Sequence, residues 1–405
     1  MKYLYCLLVF ILPNLSHAQK VLKGMIIEEE TGNPVSAASV YLNNTSIGTT
    51  SNAQGQFELS LPAGKFDLIV SSIGFDTYSQ AINATTIDSS LTIKLLPKVK
   101  ALETVVLEPY LKDGWEKWGK FFLENFIGTS AYATECRIKN PKVIRFRHSK
   151  NTNKLTAHVM EPLVIENKAL GYSIHYQLEN FTYDFKNRYV FYEGYPFFAP
   201  MKGNSVKQKR WGKNRKKVYE GSMLHFMRSL YQNKINDEGF TINYLKKIPN
   251  AEKQRVKDLH AKATKTVQSG NATIAVNSMT ANADSVEYYD SVIEQADYFD
   301  VINKTQLTGD SIAYGIDSTT AGLYFSDYLL VVYKKGIVPA KYQELFPRAG
   351  AEMISQLTLL RNEPVAIEAT GAYYQPSNVL SLGYWAWFEK IATLLPFDYE
   401  PTRVE

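Results

Sequence analysis

Near the start of the chain, short runs of β-forming residues alternate with turn residues. The runs Lys20 to Ile27, Val40 to Leu42, Phe57 to Leu61, Phe66 to Ser71 and Leu91 to Leu95 predict strands. Between and beside them lie Gly32-Asn33-Pro34, Asn43-Asn44, Asn52-Ala53-Gln54-Gly55, Pro62-Ala63-Gly64 and Gly74. Strands recurring every 8–12 residues or so with turns between them predict a β-sandwich, here over residues 19–97. Gly55 and Gly64 fall where turns call for positive φ.

Beyond a linker at 98–112 the periodicity changes. Trp115, Trp118, Phe122 and Phe126 share one stripe of a helix that Asp113 caps and Gly128 ends. Residues 143–198 predict an antiparallel meander, with strands at Val143 to His148 and Leu155 to Glu161 and a crossing segment at Pro162 to Leu170. Tyr172, Ile174, Tyr176 and Leu178 alternate with polar residues, and then Phe181, Tyr183 and Phe185 become the apolar set. A one-residue change of phase predicts a β-bulge near Glu179-Asn180. Lys186-Asn187 suits a two-residue hairpin turn into Arg188 to Phe198.

Ser222 caps a further helix carrying Leu224, Met227, Leu230 and Tyr231, and Phe240 to Leu245 returns as a strand. From about 249 to 284 the chain turns polar. A solvated helix at Glu252 to Lys265 followed by a Ser/Asn/Thr/Ala linker is expected there. Strands follow at Gly322 to Phe325, Tyr328 to Lys334, Ser355 to Leu359 and Val365 to Ala369. A last helix over 384–395 presents Trp387, Phe388, Ile391, Leu394 and Leu395, and Pro396 stops it. The expected fold is β-rich and multidomain: a sandwich, then an α+β domain over 113–405 built on an antiparallel sheet.

The order Gly-x-Pro, AASVYL, IGTTSNAQGQF and FDLIVSSIGF, within Gly24 to Tyr78, resembles the carboxypeptidase regulatory-like domain. That resemblance implies a transthyretin-like sandwich. The same module precedes the plug in starch-utilisation-type TonB-dependent transporters of Bacteroidota. Leu102-Glu103-Thr104-Val105-Val106 is similar to the lead-in to their energy-coupling box, but no glycine-rich plug follows and the chain is too short for their barrel. The resemblance implies a cell-envelope setting and, as partners, components of TonB-dependent transport. Asn52 stands where many relatives carry Asp, which weakens any cation site at that loop.

Met1-Lys2, the apolar run Leu4 to Leu12 and Ser16-His17-Ala18 have the form of a signal peptide, residues 1–18, cleaved after Ala18. No later segment is long and apolar enough to span a membrane as a helix. The expected location is therefore the periplasm or the outer membrane. Cys136 is the one cysteine after Ala18, so no internal disulfide forms, and the thiol reads as a small buried apolar group. The 27 tyrosines suit a β-rich fold. They would also suit stacking on a glycan.

Candidate chemistry is sparse. His158-Val159-Met160-Glu161 contains the His-x-x-Glu pair of zinc carboxypeptidases, with His225 and His260 as conceivable third ligands. On a strand, however, residues three apart face opposite sides, and catalytic zinc needs three protein ligands and an open position. No metal or other cofactor is expected. Glu161, Glu166 and Glu179 would act on a glycan only if two of them lay about 5–9 Å apart. No serine-hydrolase elbow, P-loop or dinucleotide fingerprint occurs.

The remaining signal is Lys202 to Lys217, with Lys202, Lys207, Lys209, Arg210, Lys213, Arg215, Lys216 and Lys217 and no acid. Such a run cannot be buried unpaired and reads as a surface loop. An exported protein would turn it toward an anionic envelope surface or an acidic glycan, not toward nucleic acid, with Trp211 as an interfacial anchor. The pattern favours a non-enzymatic binding or assembly role. The alternatives are a peptide- or glycan-acting hydrolase and an accessory of TonB-dependent uptake.

Overall fold

In a computed structural model the described residues are 20–98, 109–269, 272–277 and 283–401. The expected signal peptide lies outside them, as does most of the 98–112 linker. The chain forms two units, Met1–Lys120 with Arg137–Gly203, and Phe121–Cys136 with Asn204–Glu405.

The first unit opens with β1 (Lys20–Glu28), β2 (Ser39–Leu42), β3 (Gly48–Thr50), β4 (Gln56–Leu61), β5 (Lys65–Ser71), β6 (Tyr78–Asn83) and β7 (Ser90–Leu95). They make the expected sandwich from two sheets, β4-β1-β7 and β3-β2-β5-β6. Alternation drives the assembly: on β4, Phe57, Leu59 and Leu61 are buried while Gln56, Glu58 and Ser60 face solvent. Leu22, Ile26, Val40, Leu42, Leu68, Val70 and Ile93 complete a core that draws only on this segment. Gly55 has φ +73°, and a Cβ there would sit 2.4 Å from the Ile26 carbonyl oxygen, so the turn into β4 requires glycine. The sequence reading missed β3 and β6. The first is three residues long, and the second has only Ile82 fully buried on its inner face.

The rest of the first unit holds the start of α1 (Gly114–Phe126) and a third sheet. Its strands are β8 (Cys136–Ile138), β9 (Ile144–Ser149), β10 (Lys154–Val159), β11 (Leu163–Asn167), β12 (Tyr172–Asp184) and β13 (Tyr189–Pro200). The order is β8-β11-β12-β10-β9, with β13 also on β12. One edge of β12 takes β11 along Tyr172 to Tyr176 and β10 along Thr182 to Asp184, and its other edge pairs with β13. The register shifts between Leu178 and Asn180, so the bulge falls at Glu179 as the change of phase requires. Trp115 packs on Phe146 at 6.4 Å, and Trp118 lies 5.3 Å from His148 and 5.7 Å from Phe185.

Two expectations are corrected here. The supposed crossing segment is the strand β11, in which Leu163, Ile165 and Asn167 alternate inward; Pro162 precedes the strand, where its missing N–H costs nothing. The β12–β13 connection has four residues, Phe185 to Arg188, not two. Asp184 Oδ1 accepts from the N–H groups of Lys186 and Asn187, and this longer turn leaves Arg188 at φ +54°.

β13 also carries the contact between the sandwich and this sheet. Thr45 bridges Phe197, the Asn44 N–H donates to the Pro196 carbonyl at 2.8 Å, and the Phe198 N–H donates to the Thr45 carbonyl at 2.9 Å. The Tyr41 hydroxyl donates to the Tyr195 carbonyl at 3.0 Å, while its ring packs on Phe197.

The second unit contains α2 (Ser205–Tyr219), α3 (Met223–Tyr231), β14 (Phe240–Pro249), α4 (Ala251–Ala263), β15 (Thr264–Ser269), β16 (Ala272–Asn277), α5 (Ala283–Glu294) and β17 (Tyr298–Leu307). It continues with β18 (Ala313–Gly315), β19 (Thr320–Leu323), β20 (Tyr328–Ile337), α6 (Ala340–Leu345), β21 (Glu352–Leu359), β22 (Val365–Glu368), β23 (Val379–Gly383) and α7 (Tyr384–Phe388). Its main sheet has the order β17-β14-β20-β21-β23, beside the small sheet β18-β19-β22. The expected polar linker includes the β15–β16 hairpin and leads into α5. The last helix stops at Phe388 instead of running to 395. Lys390 is extended at φ −127°, ψ 170°, and the Thr393 hydroxyl bonds the Phe388 and Lys390 carbonyls, holding a separate short turn at Ile391–Thr393.

Arg228 is buried within this unit. Its Nε donates to the Thr370 carbonyl at 2.8 Å, Nη1 to Tyr399 at 2.9 Å and Nη2 to Phe397 at 3.0 Å. Its guanidinium also lies over the Tyr219 ring.

Residues 19–98 alone give dispersed amide NMR signals and one cooperative thermal transition, because their core is self-contained; a disordered spectrum would move the boundary. Arg228→Met lowers the stability of the second unit by about 3 kcal/mol, since three part-buried carbonyls lose the buried donor that ties them together. Thermal denaturation of the full chain reads this as a downward shift of one transition.

Candidate functional site

The basic stretch is a helix, not the loop expected from its charge. Asn204 caps it, its Oδ1 accepting from the Lys207 N–H at 3.0 Å. Trp211, Val218 and Tyr219 are the buried residues of α2, and they fix the helix to the second unit. Trp211 is 3% exposed, so the indole expected to anchor at an interface serves the core instead. Tyr219 stacks 4.7 Å from the His225 ring.

Helical geometry then sorts the cations. At 100° per residue, Lys209, Arg210, Lys213, Lys216 and Lys217 share the side away from Trp211 and Val218. Lys207, Lys209, Arg210, Lys213 and Lys217 are exposed, and Arg215 and Lys216 are half-buried. Arg210 makes a fork-to-fork pair with Glu135 at 3.0 and 3.3 Å. Among the described residues, Lys209, Lys213, Lys216 and Lys217 form no ion pair. Like charges four apart on a helix repel by roughly 0.2–0.5 kcal/mol per pair. Lys216 and Lys217 recover part of this at the negative end of the helix dipole. The result is a rigid cationic face with no acid on its own element.

The other candidates do not converge. His158 is on the exposed side of β10, edge-on to Tyr110 at 5.8 Å. Desolvation and the nearby Arg147 cation hold its pKa below the usual value. Glu161 lies past the end of β10, in the turn before β11. His175 packs on Phe197, and burial lowers its pKa. His225 and His260 belong to the second unit. His225 is a satisfied core residue: its Nδ1 accepts from the Gly221 N–H at 3.1 Å and its Nε2 lies 3.1 Å from Glu238. Burial lowers its pKa, and Glu238 partly opposes this. His260 meets Tyr289 edge-on. Among the described residues, no three His, Cys, Asp or Glu side chains gather as a metal site.

Glu166 pairs with Lys168 at 3.3 Å. It lies opposite Ser173 on β12, six positions before Glu179. At about 3.3 Å per residue the two are separated by roughly 20 Å along the strand, too far for a shared glycosidic bond. Cys136 is buried and its thiol pKa is pushed up to about 12 by desolvation, as suits an inert packing residue.

The sequence reading missed one unusual acid. Glu389 Oε1 accepts from the Met223 N–H, at the start of α3, at 2.9 Å. Burial raises its pKa to about 7, and the neighbouring Lys390 is lowered to about 8. Tyr373 is pushed up to about 12 by burial and by the Glu389 charge. The only hint in the sequence is an acid directly after the apolar run Tyr384 to Phe388.

Residues 22–107 match the CarboxypepD_reg-like domain family, so the chain carries a carboxypeptidase regulatory-like domain. Among solved structures, the chain is similar to a protein from Bacteroides fragilis described as a candidate membrane-associated protein of unknown function. The two share 9% identity, with 90% of this chain and 94% of that chain covered and a TM-score of 0.16. No curated protein matches the chain.

Glu389 gives a signed pH dependence. Its folded pKa lies above the ordinary carboxylate value. Its contribution is therefore least unfavourable below about pH 4.5, and stability falls as the pH rises toward 7. Glu389→Gln keeps the acceptor for Met223 and removes the ionisation. The variant is expected to melt higher than wild type at pH 8, by at most about 3 kcal/mol of stability, and equally at pH 4. Thermal scans at the two pH values check this, and a difference of the same size at both would contradict it.

Proposed function

We propose that this chain is an exported, envelope-associated binding or assembly protein whose second unit attaches to an anionic surface through α2. The observation that carries the reading is the cationic face of Lys209, Lys213, Lys216 and Lys217, presented by a capped helix that is fixed by its own buried side. The secretory pattern of residues 1–18 and the carboxypeptidase regulatory-like sandwich support an envelope setting. Periplasm or outer membrane is the compartment that fits. An acidic glycan would use the same face, as would the phosphates of anionic lipid.

With Trp211 in the core, attachment is electrostatic alone. Each lysine near an anionic lipid surface contributes roughly 1 kcal/mol. Four give about 4 kcal/mol at low salt, and screening removes most of it once the Debye length falls to about 3 Å near 1 M. A second reading, an accessory to TonB-dependent uptake, is favoured by the sandwich alone. Crosslinking of a tagged copy in cells would identify transporter components if it holds. Among the described residues no catalytic constellation favours a hydrolase.

The test is co-sedimentation of the full chain with vesicles of anionic or neutral lipid. Wild type is expected to bind anionic vesicles at low salt, release at high salt and ignore neutral ones. A variant with Lys209, Lys213, Lys216 and Lys217 changed to Gln loses at least tenfold in binding. Equal binding by both proteins, or binding that salt leaves intact, would remove the proposal.

A further inference from the structure

The outer face of the third sheet, in the first unit, carries a separate pair of cations. On β9, Arg145 and Arg147 alternate with the buried Ile144 and Phe146, and on β10, Thr156 and His158 alternate with the buried Leu155, Ala157 and Val159. The register sets Arg147 opposite Thr156 and Arg145 opposite His158. The Leu111 N–H donates to the Phe146 carbonyl at 2.9 Å, which holds the preceding residue, Tyr110, beside β9. The Tyr110 ring covers the Arg147 guanidinium at 3.9 Å and meets the His158 ring edge-on at 5.8 Å. Arg147 is half-buried, and its Nε is buried with no hydrogen-bond partner. Among the described residues neither arginine forms an ion pair. A buried donor on a charged group is costly to leave unpaired and calls for an acceptor. Two cations on one strand face, about 6.6 Å apart along the backbone, also repel. The acids on this face do not answer them. Asp184 lies 3.6 Å from Lys154 and accepts from the Lys186 and Asn187 N–H groups. Glu193 is on β13, three strand spacings or about 14 Å from β9.

We infer that this face binds a phosphate group, with the Arg147 fork as its principal ligand. The Tyr110 ring occupies the flat side of the guanidinium, so the donors left to a ligand lie in the guanidinium plane. That is the direction in which the fork engages an oxyanion. The stack also orients the fork before any ligand arrives, which removes part of the ordering cost of binding. Arg145 extends from the same face and supplies a second charge. The Thr156 hydroxyl, directly across from Arg147, has no partner among the described residues and adds a neutral donor. Burial and the Arg147 cation hold the His158 pKa below its usual value, so the ring is neutral at pH 7 and offers one N–H without a third charge. Two charges and two neutral donors match a phosphate, with its charge of about −1.5 to −2 and its several acceptor oxygens, better than a singly charged carboxylate. The site belongs to the first unit and stands whether or not α2 of the second unit meets a surface.

The experiment titrates residues 19–405 and follows the arginine Nε–H resonances by NMR, with Arg147 assigned as the signal lost in Arg147→Lys. The probes are inorganic phosphate, glucose 1-phosphate and galacturonate at constant ionic strength. One or both phosphates are expected to move the Arg147 resonance with a Kd of about 1 mM or below, and galacturonate to bind at least tenfold more weakly. By calorimetry, Arg147→Lys, which keeps the charge and loses the fork, is expected to bind phosphate at least tenfold more weakly. Arg145→Gln, at an exposed side chain, is expected to lose at least threefold and decides the matter if Arg147→Lys does not fold. Circular dichroism verifies each variant. Changing Lys209, Lys213, Lys216 and Lys217 to Gln leaves the affinity within about twofold. Tighter binding of the ester identifies a phosphorylated glycan or headgroup as the source, and tighter binding of the free ion identifies inorganic phosphate; both support the site. An Arg147 resonance unmoved by either phosphate up to about 20 mM would overturn the inference. So would galacturonate binding as tightly as phosphate, a folded Arg147→Lys or Arg145→Gln that binds like wild type, or binding that disappears with the α2 lysines instead.

Discussion

The second unit depends on the burial of one positive charge. Arg228 leaves water without a buried carboxylate to receive it; Glu400 is 4.0 Å away and largely exposed. The charge is instead spread over three carbonyl dipoles from two separate segments, the turn after β22 and the C-terminal stretch. A guanidinium suits this because its fork fixes several donors in one plane, which an ammonium does not. The Tyr219 ring supplies a further soft contact. That ring also packs on His225 and on Tyr399, so the end of α2, the body of α3 and the C-terminal segment meet around one cation. The orientation of the cationic helix is set there, away from the charges that would act at its surface.

Most of the sandwich was legible because strands such as β4 and β7 alternate and the turns between the strands carry their own chemistry; β3 and β6 lacked that pattern. The Glu179 bulge was legible for the same reason: a change of phase between Leu178 and Phe181 is written in the side chains. α2 was hidden. Its apolar residues, Trp211, Val218 and Tyr219, are too few to set a helical period, and its many cations share the signature of a solvated loop. The break after Phe388 was hidden too. The apolar residues continue past it, and only the backbone at Lys390 and the Thr393 hydroxyl end the helix.

Arg228 illustrates a deeper limit. In the sequence it is one more polar residue among Met227 and Leu230. Its partners are main-chain oxygens of residues 142 to 171 positions away. A carbonyl is present at every residue, so no pattern of side chains announces that one will be used. The candidate metal pair shows the converse. His158 and Glu161 satisfy a short pattern, yet the strand they begin on ends between them.

The parallel pairing of β1 with β7 has a consequence for how the sandwich is completed. Lys23 lies beside Ser90 and Glu28 beside Leu95, with the other five strands of the sandwich between them in the chain. When a polypeptide emerges N-terminus first, from a ribosome or through a narrow pore, β1 can find β4 early but has one open edge until β7 follows. Closing so long a loop comes late and slowly. The module therefore stays incomplete until nearly all of it has emerged, and whatever holds the chain during that interval must tolerate or shield the uncovered edge of β1.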